Sequence, residues 1–315
     1  MSKPVCSVII PAFNCREFLP AALHSVAAQA ISPVETLVLD DGSTDGTWEY
    51  LQSAKRNFPG LVTVRGGNIG PAEGRNLLIS MAKSDLIAFL DADDHWWPNK
   101  LKSQIAFHLT NPDVVLSFTD YMHIDTSGIT HGTAFDFWKP QFLTGRTGGY
   151  SRINHPLAEL LSCNPVGTST VMARKAALQN ANGFAKSMPS AEDWDLWLRL
   201  AEHGSVAASR SVTMSYLQRP GSLTASREAR LQAMRIIIDR YAAHQGQGMP
   251  AARKRALARY HAARAEHHRT GQNWLRAAGA HLQACSEAPS KRLALALIAD
   301  VCSFINKPAL SGQTQ

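Results

Sequence analysis

The sequence predicts an α/β fold built on a mainly parallel sheet, on three observations. Strand-like and helix-like runs alternate over the first hundred residues, the strand-like runs are apolar along their whole length, and turn, capping and charged residues collect just after them. The first strand is VCSVII (5–10), followed by a helix over 17–28. VETLVL (34–39) is the second, with a helix over 47–55; LVTVR (61–65) is the third, with a helix over 71–81; LIAFL (86–90) is the fourth. Such alternation builds βαβ units, and ligands of these sheets bind beyond the carboxyl ends of the strands.

Four strand ends therefore carry the argument. The first, Pro11-Ala12-Phe13-Asn14, lacks the glycine pattern of a dinucleotide fold. The second, DDGSTDGT (40–47), combines a turn with helix-capping chemistry, and Asp45 reads as a residue of that turn. In the third, GGNIGPAEGRN (66–76), Pro71 suits a first helical position and Arg75 follows one turn later. The fourth ends in Asp91, Asp93 and Asp94, three carboxylates in four positions whose mutual repulsion calls for a compensating positive charge. A divalent cation, Mn2+ or Mg2+, bound by one or two carboxylates and a diphosphate, meets that need. Arg75 would neutralise further phosphate charge, and Asp41, expected exposed just past its strand, would accept hydrogen bonds from a base or ribose. Trp96 and Trp97 read as packing residues behind the acidic loop.

The segments SVIIPAFN, VLDDGSTDGT, NIGPAEGRN and FLDADD, followed by AEDWDLW (191–197), occur in one order and spacing. Residues 5 to about 225 thereby resemble an inverting glycosyltransferase of family 2 with the GT-A fold. The resemblance implies an enzyme that moves a hexose from a nucleotide diphosphate sugar to a hydroxyl of a glycan or lipid-linked acceptor. It implies that Pro11, Ala12, Phe13, Asn14 and Asp41 contact the nucleotide sugar with Arg75 beside it. The Asp91-Ala92-Asp93 element then meets metal and diphosphate, and Asp193 is the general base. Glu192, Trp194, Gly167 and Thr168 fall on the acceptor side, and 216–222 resembles a closing loop. Asp193 has a competing reading: Ser190 followed by Asp193 is close to a capping box, ahead of an apolar stripe of Trp194, Trp197, Leu198 and Ala201. Two other classes are a phosphohydrolase with an aspartyl nucleophile and a catalytically silent binding protein. The first wants its nucleophile after the first strand, where Pro11-Ala12 stand, and intact Asp91, Asp93 and Asp193 oppose the second.

With 45% hydrophobic and 18% charged residues over 315, the chain has the balance of a soluble globular protein. Five cysteines without a CxxC pair, and an N-terminus leading straight into a strand, point to a reducing, cytoplasmic setting. Ten Lys/Arg and three Asp/Glu lie in 251–315, which leaves 22 of each sign in 1–250, so the net charge of +7 belongs to the tail. That tail reads either as a solvated helix surface or as a peripheral contact with an anionic membrane leaflet; no nucleic-acid partner is expected. The irregular stretch 120–165 is either a lid or an ordered excursion with short strands. Residues 1–225 are expected to form the transferase domain and 226–315 a helical extension. The extension breaks at 245–250 and contains one tetratricopeptide-like hairpin over 255–288 with Gly271 at its turn. His261, His267, His268 and His281 read as exposed helical histidines rather than metal ligands, and the apolar run within 291–307, interrupted by Asp300, is too short to span a membrane.

Overall fold

The computed structural model describes residues 3–32, 34–142, 149–218 and 226–306. Among these, ten strands form one sheet: β1 (Cys6–Ala12), β2 (Val34–Asp40), β3 (Leu61–Arg65), β4 (Leu86–Phe89), β5 (His95–Trp96), β6 (Val114–Asp125), β7 (Thr130–Thr133), β8 (Tyr150–Arg152), β9 (Met172–Arg174) and β10 (Ser205–Gln218). The order is β3-β2-β1-β4-β9-β6-β10-β5, with β7 on β6 and β8 on β10. β3, β2, β1 and β4 are mutually parallel, β9 runs antiparallel to both β4 and β6, and β6 and β10 are parallel.

The apolar runs explain the order of the first four strands. β1, β2 and β4 are buried along nearly their whole length, as strands covered on both faces must be. Ser7 and Glu35 are tolerated inside because they satisfy each other, the Ser7 hydroxyl donating to Glu35 Oε2 at 2.7 Å. Helices α1 (Leu19–Ala27), α2 (Thr47–Ala54) and α3 (Pro71–Met81) connect these strands, α3 opening after Gly70, whose φ of 84° a residue with Cβ rarely adopts. Further along lie α4 (Lys100–Thr110), α5 (Ala134–Trp138), α6 (Pro156–Ser162), α7 (Lys175–Asn180) and α8 (Glu192–His203). α8 buries Trp194, Trp197, Leu198 and Ala201, the stripe read from the sequence. The 120–165 stretch is the ordered excursion: β6 runs on to Asp125, and β7, α5, β8 and α6 follow, with 143–148 outside the described residues. Positions 219–222 of the expected closing loop also lie outside them.

The chain divides into two compact units, one comprising the residues up to 160, 164–188 and 192 to the end of β10. The other comprises 161–163, 189–191 and four helices, α9 (Arg227–Arg240), α10 (Met249–Thr270), α11 (Trp274–Glu287) and α12 (Lys291–Ile305). Three details of the helical unit correct the sequence reading. The break ends at Gly248, with φ 80°, and Pro250 lies in the first turn of α10, where its missing N–H is no loss. α12 adds a helix beyond the hairpin, whose turn carries Gly271 and whose second helix is capped by Asn273 accepting the Arg276 N–H at 3.3 Å. His281 is buried rather than exposed, because its ring pairs with the carboxylate of Asp300 at 2.5 Å. No described helix is long and apolar enough to cross a membrane.

Candidate functional site

At the ends of β1 and β2 the two loops hold each other. The Asn14 N–H donates to Ser43 Oγ at 2.8 Å, Asn14 Oδ1 accepts the Thr44 N–H at 2.9 Å, and the Cys15 N–H donates to Thr47 Oγ1 at 3.1 Å. Asp45 is a turn residue as expected, accepting from the Thr47 N–H and hydroxyl and from the Arg16 N–H. Ala12 is buried, whereas Phe13 is half-exposed beside it. The expectation that Asp41 is exposed is corrected. It is buried, and its two oxygens accept the Ile69 and Gly70 N–H groups at 2.8 and 2.7 Å, so it fastens the loop that opens α3. Each oxygen keeps one lone pair for a ligand.

The acidic loop after β4 resolves its own repulsion by giving each carboxylate a different environment. Arg75, buried to 6% exposure, donates from Nη2 to Asp91 Oδ1 at 2.7 Å and from Nη1 to Glu192 Oε1 at 3.1 Å, across 117 residues of sequence in the second case. Burial opposes its charge, but Asp91 and Glu192 more than offset that, so the guanidinium stays protonated. Asp94 turns inward, accepting from Ser169 Oγ at 2.5 Å and the Leu217 N–H at 3.4 Å. Burial, then repulsion from Asp91 and Asp93, pushes its carboxyl well above the usual range. Asp93 is half-buried. Trp96 is buried behind the loop, its indole N–H donating to the Ser169 carbonyl at 2.7 Å, which bears out a packing role.

Glu192 and Asp193 open α8. Asp193 Oδ2 accepts the Thr168 hydroxyl at 2.9 Å and Oδ1 accepts the Trp194 N–H at 2.7 Å, so a helix-start amide and a neighbouring side chain fix the carboxylate together. Burial and the charge of Glu192 push it up to about 6, with those hydrogen bonds and Arg75 pulling the other way. The structure thus links Asp193, through its neighbour Glu192 and Arg75, to Asp91. Position 167, next to Thr168, suits a glycine because the Tyr121 ring would lie 2.8 Å from a Cβ there. Trp194 departs from the acceptor-side expectation: it is buried, and its indole N–H is spent on the Leu160 carbonyl. Sequence reasoning missed Ser169, which accepts the Asp91 N–H at 2.9 Å as well as donating to Asp94, and nothing in its Thr-Ser-Thr context marks it.

Among the described residues no three His, Cys, Asp or Glu side chains converge into a self-sufficient metal site. The hard oxygen donors of Asp91 and Asp93 nonetheless suit a divalent cation that takes its remaining ligands from a diphosphate and water, since such a cation needs only one or two carboxylates. A separate cavity of about 490 Å³, lined among others by Asp120, Phe135, Lys139 and Arg210, shares no residue with this site.

The model of Glycosyl transferase family 2 matches residues 7–177, which span the acidic loop and every strand from β1 to β9. The chain belongs to glycosyl transferase family 2. This glycosyltransferase is 30% identical over 225 residues to the Escherichia coli UDP-Glc:alpha-D-GlcNAc-diphosphoundecaprenol beta-1,3-glucosyltransferase WfaP, covering 70% of this chain and 80% of that one. It is 37% identical over 120 residues to a Bacillus subtilis putative teichuronic acid biosynthesis glycosyltransferase, TuaG, covering 38% of this chain and 47% of the relative. The match to the Pasteurella multocida chondroitin synthase, 26% identical, covers 64% of this chain but 19% of that protein. Two solved structures share the fold at a TM-score of 0.65. One is Staphylococcus aureus TarS 1–349 in complex with UDP-GlcNAc, at 20% identity over 95% of this chain and 88% of that one. The other is the Pyrobaculum calidifontis mannosyltransferase PcManGT in complex with GDP-Man and Mn2+, at 19% identity over 98% and 82%.

Proposed function

We propose that this glycosyltransferase moves a hexose, with inversion, from a nucleotide diphosphate sugar to a hydroxyl of a glycan or lipid-linked acceptor. It does so with a divalent cation, Mn2+ or Mg2+, in the assembly of a cell-surface polysaccharide or glycolipid, working from the cytoplasm. The observation that carries this reading is the chain of contacts from Asp193 through Glu192 and Arg75 to Asp91, which joins a raised carboxylate to the acidic loop. Residues 1–225 are the transferring domain in this reading and 226–315 a helical extension.

Ala12 and Phe13, with Pro11 and Asn14, form the wall for the nucleoside, and Asp41 accepts from it with its remaining lone pairs. Asp93 and the Asp91 oxygen not taken by Arg75 would hold the cation, which when bound would supply positive charge to offset that on the departing diphosphate. Arg75 adds a fixed positive charge on the same side. The acceptor oxygen attacks the anomeric carbon as the bond to the diphosphate breaks, and its proton passes to Asp193. That carboxylate is ionised at neutral pH yet basic enough to take the proton, having been raised to about 6. Thr168 and the Trp194 N–H hold it in place. The relatives named for a diphosphoundecaprenol-linked sugar and for chondroitin support the acceptor class, and the neighbours holding UDP-GlcNAc and GDP-Man with Mn2+ support the donor and cation.

A thermal-shift screen of nucleotide sugars with and without manganese identifies the donor, and calorimetry then decides the metal question. Binding is expected to weaken at least about tenfold in chelator and in Asp93→Ala, and proton NMR of the product is expected to show the anomeric centre inverted. Equal affinity with and without metal refutes the metal assignment, and a retained anomeric configuration refutes the mechanism.

A further inference from the structure

α12 buries a charge and exposes a stripe of large apolar side chains. Its one fully buried side chain is a carboxylate, Asp300, at 0% exposure. Leu293 and Leu297 are half-buried on the same side, but Leu295, Ile298 and Ile305 are 57%, 58% and 70% exposed, with Val301, Phe304 and Cys302 exposed as well. Leu295, Ile298, Cys302 and Ile305 recur at i, i+3, i+7 and i+10, so they fall within about 80° of arc on the side opposite Asp300. Such a stripe in a globular helix normally marks the face turned to the core.

The orientation is enforced. Asp300 Oδ1 accepts from Arg269 Nε at 2.6 Å and Oδ2 from the His281 ring at 2.5 Å, while Arg269 Nη2 also donates to the Ala296 carbonyl at 3.1 Å. Turning α12 to bury its apolar stripe would strip Asp300 of both partners, leave His281 unanswered on α11 and leave Arg269 on α10 with Glu266 alone. The clasp therefore holds a row of large aliphatic side chains in water, together with exposed Leu275 and Leu282 on α11.

Two observations say what covers this face. The stripe is about 15 Å long and one helix wide, on the order of 200 Å², a small part of the roughly 800 Å² per partner that a stable protein interface buries. Its surroundings are cationic: residues 251–315 carry ten Lys/Arg against three Asp/Glu, and Lys291, Arg292 and Arg276 are exposed near the start of α12 and on α11. A narrow apolar stripe flanked by basic residues is the composition of a helix lying in a bilayer interface. We propose that the outward stripe of α12 docks on an anionic lipid surface, its apolar residues entering the headgroup boundary and the basic residues meeting the headgroups. This holds whatever sugar the enzyme transfers.

The full chain is sedimented with vesicles of phosphatidylcholine and with vesicles containing about 30% phosphatidylglycerol. Binding is expected to be at least about tenfold greater on the anionic vesicles and to fall in high salt. Ile298→Glu, and separately Lys291→Glu with Arg292→Glu, should each reduce it about tenfold or more with unchanged melting. Should Ile298→Glu fold poorly, Ile298→Ser removes apolar contact without adding a charge and is expected to weaken binding severalfold. Equal binding to both vesicle types, or binding indifferent to either Ile298 variant, overturns the proposal. So does a wild-type dimer that Ile298→Glu converts to monomer, because the face then belongs to a second copy.

Discussion

Helices α8 and α12 put similar ingredients to different ends. Each has an apolar stripe at helical spacing and a buried aspartate, Asp195 in α8 and Asp300 in α12. α8 buries Trp194, Trp197 and Leu198 and leaves Asp193 and Glu192 half-buried at its start, whereas α12 buries Asp300 and turns Leu295 and Ile298 outward. The difference lies in the partners. Asp193 is met by a hydroxyl, a backbone N–H and Arg75 at a distance, which only partly offset the burial and the Glu192 charge that raise its carboxyl. Asp300 is met by Arg269 and His281 directly, which makes it a fastener. Asp195, also buried in α8 and paired with Arg199 at 2.8 Å, behaves like Asp300. Periodicity locates a stripe; the answering charge decides which side of the helix is buried.

The largest effect that would break this comparison is at Asp193. Asp193→Asn keeps shape and one acceptor but cannot take a proton, so transfer should fall by about 10²–10⁴. Its stability at neutral pH should hold or rise. Because the folded carboxyl is raised to about 6 from an ordinary 3.8, ionising it disfavours the fold as pH rises through that window, and above about 6 the neutral amide avoids that cost. Melting and donor binding measured on the same preparation separate the two roles; early melting with near-normal transfer per folded molecule would make Asp193 a capping residue only.

Asp300→Ala should do the reverse. Leaving Arg269 and His281 without their carboxylate is expected to cost about 3 kcal/mol, read as a lower melting temperature, with donor affinity as in the wild type. A variant that melts normally would mean that Asp300 does not fasten α12. The smallest effect is at Thr168. In the proposed mechanism transfer needs ionised Asp193, so activity should be lost as pH falls through about 6. Thr168→Val removes a hydrogen bond to the charged form and should move that acid limb upward by up to about one pH unit, with Thr168→Ser restoring it. An unmoved limb would show that another group governs the profile.

Much of the first half of the fold was legible, because β1, β2 and β4 are apolar throughout and Gly70-Pro71 and Asp45 have local turn chemistry that tertiary structure did not override. The acidic loop was legible as a problem, three like charges, but only half as a solution. Arg75 was read as a partner for phosphate, whereas its bonds to Asp91 and Glu192 come from elements far apart in sequence. Asp41 and Trp194 were misplaced for one reason: residue type says what a side chain can do, not whether neighbouring amides or carbonyls have already claimed it. His281 was read as exposed because its partner Asp300 lies 19 positions away on another helix.

β9 is only three residues long, yet it joins two sets of strands that never pair directly. On one side the parallel run β3-β2-β1-β4 ends in the acidic loop; on the other, β6 and β10 lead to Tyr121 and Tyr216, and among the described strands Met172–Arg174 is the one that pairs with both β4 and β6. The family match stops at 177, just past that joint. A sheet assembled this way is separable by inheritance. Insertions and substitutions on the β6–β10 side can accumulate without disturbing the register of β1 to β4, but β6 precedes β9 in the chain and β10 follows it, so a chimaera that exchanges that side must replace the segments on both flanks of β9 and keep Met172–Arg174 as the shared seam.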